Sequence, residues 1–126
     1  MIKKKILNPV RVRQINGGFS FIPHRFITDG FLASLDQNEL LLYLFLVLVS
    51  DRYGLSFYSY DSICSLLQMR IDQYIKARDG LVEKDLIAFN GTLFQVLSLP
   101  KKPPDRRKIQ GPYPVDTLIQ QTVKGF

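Results

Sequence analysis

Cysteine and histidine are scarce in this 126-residue chain, which holds one of each, Cys64 and His24. A single thiol forms no internal disulfide, so a reducing compartment, the cytoplasm, is the expected home. One cysteine and one histidine far apart in sequence do not make a zinc site alone, and no metal or cofactor is expected. A nucleophile elbow, a phosphate-binding glycine loop and a metal-spaced ligand cluster are all missing too. The carboxylates are numerous but fall at caps and on polar faces. The chain therefore does not read as an enzyme.

Long apolar runs are lacking as well. The run from Leu40 to Val49 has ten residues, bounded by Glu39 and by Ser50-Asp51-Arg52. A membrane span needs about 20 apolar residues, so this run is expected to be a buried core helix. The early basic run Lys3-Lys4-Lys5 is followed by no apolar segment, so a secretory signal is not expected. There is no internal repeat and no low-complexity tract.

What the chain does have is a sizeable core and an uneven charge. Hydrophobic residues make up 46% and aromatic residues 12%, and the net charge is +6. Residues 1–25 carry six basic side chains (Lys3, Lys4, Lys5, Arg11, Arg13, Arg25) and no acid. Residues 100–126 carry six basic and two acidic side chains, whereas residues 26–99 carry five basic and nine acidic ones. The basic character lies in the tails, and the presumed globular part is mildly acidic.

That pattern divides the chain into a flexible basic arm over 1–18, a domain over 19–99, and a basic, proline-containing linker with a short helix over 100–126. Asn16-Gly17-Gly18 is a turn that ends the arm. Phe19 to Ile22 reads as a short strand. Pro23 suits the first turn of a helix from His24 to about Leu32, whose Phe26, Ile27, Phe31 and Leu32 could cover one side of the core.

Asp36 and Glu39 are spaced as a capping box for a helix from Gln37 to Val49. That helix is apolar on every face and needs cover from the N-terminal segment, the C-terminal segment or a second subunit. Leu55 to Tyr58 is a strand candidate. Ser59 is a good N-cap for a helix to about Gln68, with Ile63, Leu66 and Leu67 as its apolar face. After the tight turn Gln68-Met69-Arg70 comes a helix from Ile71 to Lys84. Its Ile71, Tyr74, Ile75, Ala77, Arg78 and Leu81 are expected on the inner side, with Asp72, Gln73, Lys76, Asp79 and Glu83 outside. Leu86 to Phe89 and Thr92 to Leu97 flank Asn90-Gly91, a strong hairpin signal. Val115 to Lys124 has apolar residues at helical spacing.

Helix, short strand, helix, tight turn, helix and hairpin is the order of a winged helix-turn-helix, a mostly helical α+β fold. The stretch from Ser59 to Met69 and the segment Leu81-Val-Glu-Lys-Asp-Leu-Ile87 resemble the winged-helix superfamily of bacterial regulators and replication-initiation proteins. In that family a glycine usually stands where this chain has Asp85, a residue that tolerates the left-handed backbone. The span from Phe19 to Pro100 also resembles small winged-helix proteins associated with mobile elements.

The resemblance implies double-stranded DNA as partner. It implies base or phosphate contacts from Arg70, Gln73 and Lys76, and phosphate contacts from Ser59 and Tyr60. The wing tip, Asn90, Gly91 and Thr92, would then approach the minor groove. Two features depart from the pattern. The wing carries no Arg or Lys, and Asp72 and Asp79 flank the contact helix. The missing cations would come from Lys3, Lys4, Lys5, Arg11 and Arg13 in the arm and from Lys101, Lys102, Arg106, Arg107 and Lys108 in the linker.

The expectation is a cytoplasmic, homodimeric DNA-binding protein acting as a transcriptional regulator or a mobile-element accessory factor. The alternative is a winged-helix module that binds a protein partner and no DNA, which the acidic core and uncharged wing favour. A third reading is a subunit whose partner carries the chemistry. Cys64, Tyr43, Phe45 and Tyr74 are read as packing residues.

Overall fold

The computed structural model describes residues 3–104. The expected helix near Val115 to Lys124 and the cluster Arg106-Arg107-Lys108 lie outside the described residues. The elements are α1 (Arg25–Thr28), α2 (Gln37–Val49), β1 (Leu55–Phe57), α3 (Tyr60–Leu67), α4 (Ile71–Glu83), β2 (Ile87–Phe89) and β3 (Leu93–Val96).

Each of the three long helices starts where a polar side chain can satisfy free backbone groups. At α2 the capping box is complete. The Glu39 N–H donates to Asp36 Oδ1 (2.8 Å) and the Asp36 N–H donates to Glu39 Oε1 (2.9 Å). At α3 the Ser62 N–H donates to Ser59 Oγ (3.3 Å). At α4 the cap comes from the far side of the turn: the Arg70 N–H donates to Gln73 Oε1 (2.9 Å).

The helix ends are also read from single residues. Gln68 takes a left-handed backbone (φ 53°), and the next N–H, from buried Met69, returns to Cys64 O at 3.0 Å. Asp85 does the same after α4 (φ 62°), with the Leu86 N–H to Leu81 O (3.1 Å) and the Asp85 N–H to Val82 O (3.0 Å). Both bonds and the burial of Leu81 against Leu86 are those of a Schellman close. Asp85 thus fills the glycine position as the sequence implied.

The sheet has the order β1-β3-β2 and is antiparallel throughout, with Ser56 opposite Phe94 and Phe89 opposite Phe94. Its entry is set by Asp51, whose Oδ1 accepts from the N–H groups of Tyr53 (2.8 Å) and Leu55 (3.0 Å). Gly54 (φ 83°) lies directly on the Val96 backbone, and the Val96 N–H donates to Gly54 O (2.8 Å). A side chain at Gly54 would collide with that strand, so the close approach requires glycine. The wing turns at Asn90, whose Oδ1 accepts from the N–H groups of Thr92 (3.0 Å) and Leu93 (2.7 Å).

One core joins these parts. Leu42, Leu46, Ile63, Leu81, Leu86, Ile87 and Phe94 are fully buried in it. Phe26 stacks on Tyr43 with ring centroids 5.0 Å apart, so α1 does cover part of α2, and Tyr43, Phe45 and Tyr74 are buried as expected. Leu41 and Leu48, seven residues apart on α2, stay exposed.

Four expectations need correction. On α3, Leu66 faces solvent, leaving Ile63 buried and Leu67 partly buried as its apolar face. Phe19 to Ile22 is not a strand; it runs past the end of α2 without backbone pairing to the sheet. Its polar tie there is Ser20 Oγ to Leu48 O at 3.5 Å. The helix expected over His24 to Leu32 is two pieces, because Gly30 (φ 86°) breaks it into α1 and a 3-10 turn, Leu32–Ser34. On α4 only Tyr74, Ala77 and Leu81 are buried, while Ile71 and Ile75 face solvent. At about 100° per residue Ile75 stands a full step off the Tyr74 line, beyond the reach of α2 and the sheet.

Candidate nucleic-acid interface

The sequence-predicted site residues fall into two groups on the surface. Ser59, Tyr60, Gly91 and Thr92 come together. They line one open groove of about 570 Å³ between the start of α3, the inner edge of α4 and the wing. Phe57, Tyr58, Tyr74, Arg78 and Phe89 complete its wall. Asn90 is drawn into the wing turn by its two hydrogen bonds, so its side chain works as a turn former.

Arg70, Gln73 and Lys76 do not reach that groove. They start α4 on its other flank, and two of them are already engaged. Arg70 Nε lies 3.2 Å from Asp72 Oδ1, and Gln73 Oε1 is occupied by the Arg70 N–H. The hydrogen bond from Arg70 holds the Asp72 carboxyl below the usual carboxylate range. Lys76 is exposed.

Arg78 was not singled out from sequence, where it counted as part of the inner side of α4. Its guanidinium lies 5.6 Å from the Tyr74 ring centroid and 5.1 Å from that of Phe89, at the floor of the groove. Asp79 Oδ1 accepts from both Nε and Nη2 at 3.1 Å. Burial pushes the Tyr74 hydroxyl above its ordinary pKa, and the nearby Arg78 works against that rise. The signal that could have found Arg78 is its length, since a long cationic side chain on an inner face ends at a rim.

The charge of the outer α4 face follows from these pairs. Asp72 is matched by Arg70 and Asp79 by Arg78, which leaves Lys76 against Glu83. The face is near neutral, and its exposed apolar residues are Ile71, Ile75 and Val82. Besides Lys76, the cations without an ion pair among the described residues lie elsewhere. Lys3, Lys4, Lys5, Arg11 and Arg13 are exposed along the arm, which makes a 3-10 turn at Pro9–Arg11. Lys101 and Lys102 are exposed after the sheet, where Arg25 Nη2 grips Pro100 O at 2.7 Å.

Two helices joined by a three-residue turn, followed by a hairpin and closed by a strand from before the pair, define a winged helix-turn-helix domain. In agreement, the family model described as a helix-turn-helix domain matches residues 33–87. That match runs from the turn before α2 to the first residue of β2. No curated protein and no solved structure matches the chain. Among the described residues no helix is long and apolar enough to cross a membrane, and no cluster of three or more His, Cys, Asp or Glu side chains could hold a metal ion.

Proposed function

We propose that this is a non-enzymatic protein that binds duplex DNA, as a transcriptional regulator or an accessory factor of a mobile element. The observation that carries the reading is the single groove shared by Ser59, Tyr60, Gly91, Thr92 and Arg78. The start of α3 and the wing stand on its two sides. A phosphate strand along it meets the Ser59 and Thr92 hydroxyls and the positive end of α3.

The outer face of α4 then faces the major groove with a neutral, partly apolar surface. Lys76 is its unpaired cation, and Ile71 and Ile75 suit thymine methyl groups. Such a face supplies little phosphate attraction, so the arm residues Lys3, Lys4, Lys5, Arg11 and Arg13 carry most of it, with Arg106, Arg107 and Lys108 in the same role.

The test is anisotropy of random-sequence duplex DNA across a salt series. The full chain is compared with a full-chain variant whose five arm cations are alanine. The expected result is binding that weakens steeply with salt, with the slope reduced by about 0.9 for each arm cation that neutralises a phosphate. No binding at low salt overturns the reading.

A second reading rests on its own observation. Ile71, Ile75 and Val82 form an exposed apolar stripe on a neutral helix, as a protein-docking surface would. It takes the lead if duplex binding is absent. Homodimerisation belongs to the proposal in either form, with exposed Leu41 and Leu48 of α2 as the contact. Sedimentation of the wild type against Leu48→Lys tests it, and a monomeric wild type would remove it.

A further inference from the structure

The groove beside the wing is more aromatic than a phosphate track needs. Phe57, Tyr58 and Tyr60 are 67%, 41% and 50% exposed; Tyr58 turns one edge to buried Phe45, with ring centroids 5.1 Å apart, while Phe57 and Tyr60 make no ring contact with the core. Tyr74 and Phe89 lie deeper, with the Arg78 guanidinium over both rings. Exposed aromatic side chains on one stretch of chain leave apolar ring faces in water, a cost that a stacked partner removes.

The polar groups of the groove narrow the choice of partner. Its lining holds hydroxyls at Tyr58, Ser59, Tyr60, Tyr74 and Thr92, one guanidinium at Arg78, and no carboxylate. The Arg78 guanidinium is fixed from outside by Asp79. The groove therefore offers flat apolar surfaces, hydroxyl donors and a cation at its floor. Its volume of about 570 Å³ falls within the few hundred to about 1,000 Å³ typical of pockets for small organic groups. A nucleobase on an anionic backbone meets each of these features: a π face for the rings, edge groups for the hydroxyls, and a phosphate for the arginine.

We propose that this groove takes unpaired bases of single-stranded DNA, stacked against Phe57 and Tyr60 above Arg78. The inference goes beyond duplex binding and uses a different part of the ligand. Duplex DNA presents only its backbone to the groove, whereas a single strand inserts its bases. A site of this kind suits a protein working where duplex and single strand meet.

The experiment uses the full chain and a fluorescein-labelled oligothymidine strand of about 20 nucleotides, longer than the roughly 4–16 nucleotides that one small domain covers. An abasic strand of the same length and charge is the control, and a hairpin duplex is measured in parallel. The wild type is expected to bind oligothymidine and to bind the abasic strand much more weakly. Phe57→Ala should lose roughly 5- to 150-fold on oligothymidine with duplex affinity unchanged, and the double variant with Tyr60→Ala should lose more on oligothymidine than on duplex, where Tyr60 gives up only a phosphate contact. Phe57→Tyr should retain binding. Both side chains are exposed, so a circular dichroism melt should show the double variant folded like the wild type.

Equal affinity for the abasic and the oligothymidine strands overturns the proposal. So does an unchanged affinity in the alanine variant, or binding of oligouridine in place of oligothymidine. Failure on single strands with duplex binding intact removes this inference alone. Single-strand binding without duplex binding removes the duplex reading and keeps this one.

Discussion

Lys84 at the end of α4 holds Glu39 at the start of α2, with Nζ 2.6 Å from Oε1 and a second bond to Ser34 O at 2.8 Å. Glu39 is buried, and the same Oε1 completes the cap of α2. Gly80 makes room for it, since a Cβ there would meet the Glu39 carboxylate, with Cδ only 3.0 Å away. The two helices that set the orientation of the contact face are therefore clipped at one point.

Removing one partner of this pair should destabilise the domain more than removing both. Lys84→Met is expected to cost about 1–3 kcal/mol, below the range for a fully buried pair because Lys84 is a third exposed. Glu39→Gln with Lys84→Met keeps the cap acceptor and should recover most of that loss. Urea unfolding of the two single variants and the double variant measures the coupling. Gly80→Ala should also be less stable than the wild type, against its better helix propensity.

The left-handed residues at the two helix ends make an opposite prediction. Gln68→Gly and Asp85→Gly each relieve a positive φ, so each should leave stability unchanged or raise it by up to about 1 kcal/mol. Asp85→Val should lower it, because a β-branched side chain does not fit φ 62°. Thermal melts of the three proteins decide the signs.

Phe94 joins the wing to the core: it is fully buried and stacks on Phe89 at 4.4 Å. Phe94→Ala should cost about 3–5 kcal/mol. Phe94→Leu, which fills more of the volume, should cost less. Unfolding midpoints in urea rank the two.

The Cys64 thiol is pushed up from its ordinary pKa, first by its apolar surroundings and then by Asp61. Less thiolate is present at any pH below that pKa. Its alkylation by iodoacetamide should therefore be slower than that of free cysteine at pH 8, with the rate profile moved to more alkaline pH. Asp61→Asn removes the second cause and should speed the reaction. A rate as fast as that of free cysteine would show an unshifted thiol.

The wing offers a gain-of-function test of the DNA reading. Thr92→Lys places a cation at the rim of the groove, where the natural wing has none. Duplex affinity should rise at low salt, and the salt slope should steepen by about 0.9. An unchanged slope would place the phosphate strand elsewhere.

Local chemistry made most of this fold legible. Asp36 with Glu39 announced α2, Ser59 announced α3, and the segment from Leu81 to Ile87 closed α4 with Asp85 in the left-handed position. Asn90 with Gly91 located the wing. What was not legible depended on partners distant in the chain. Phe19 and Phe21 alternate like a strand, but a strand exists only if an edge is there to pair with. Ile71 and Ile75 match the helical period, yet the buried arc of α4 is narrower than its apolar arc. Arg78 became part of the groove only because Phe89 of the wing and Tyr74 of the helix close around it. The charge pattern of α4 misled in the same way, since Asp72 and Asp79 each stand beside an arginine that cancels them.

The pairing of β1 with β3 has a consequence for how this molecule assembles. Leu55 lies opposite Gln95, so α3, the tight turn and α4 sit inside a loop whose two ends are zipped together. Closing a loop of that length is an entropic cost that local helix formation does not offset. The three-stranded sheet should therefore form late, after α2, α3 and α4 have packed and shortened the distance. A protease nick between α3 and α4 would leave both halves held together by the zipped ends, as one particle with two chains.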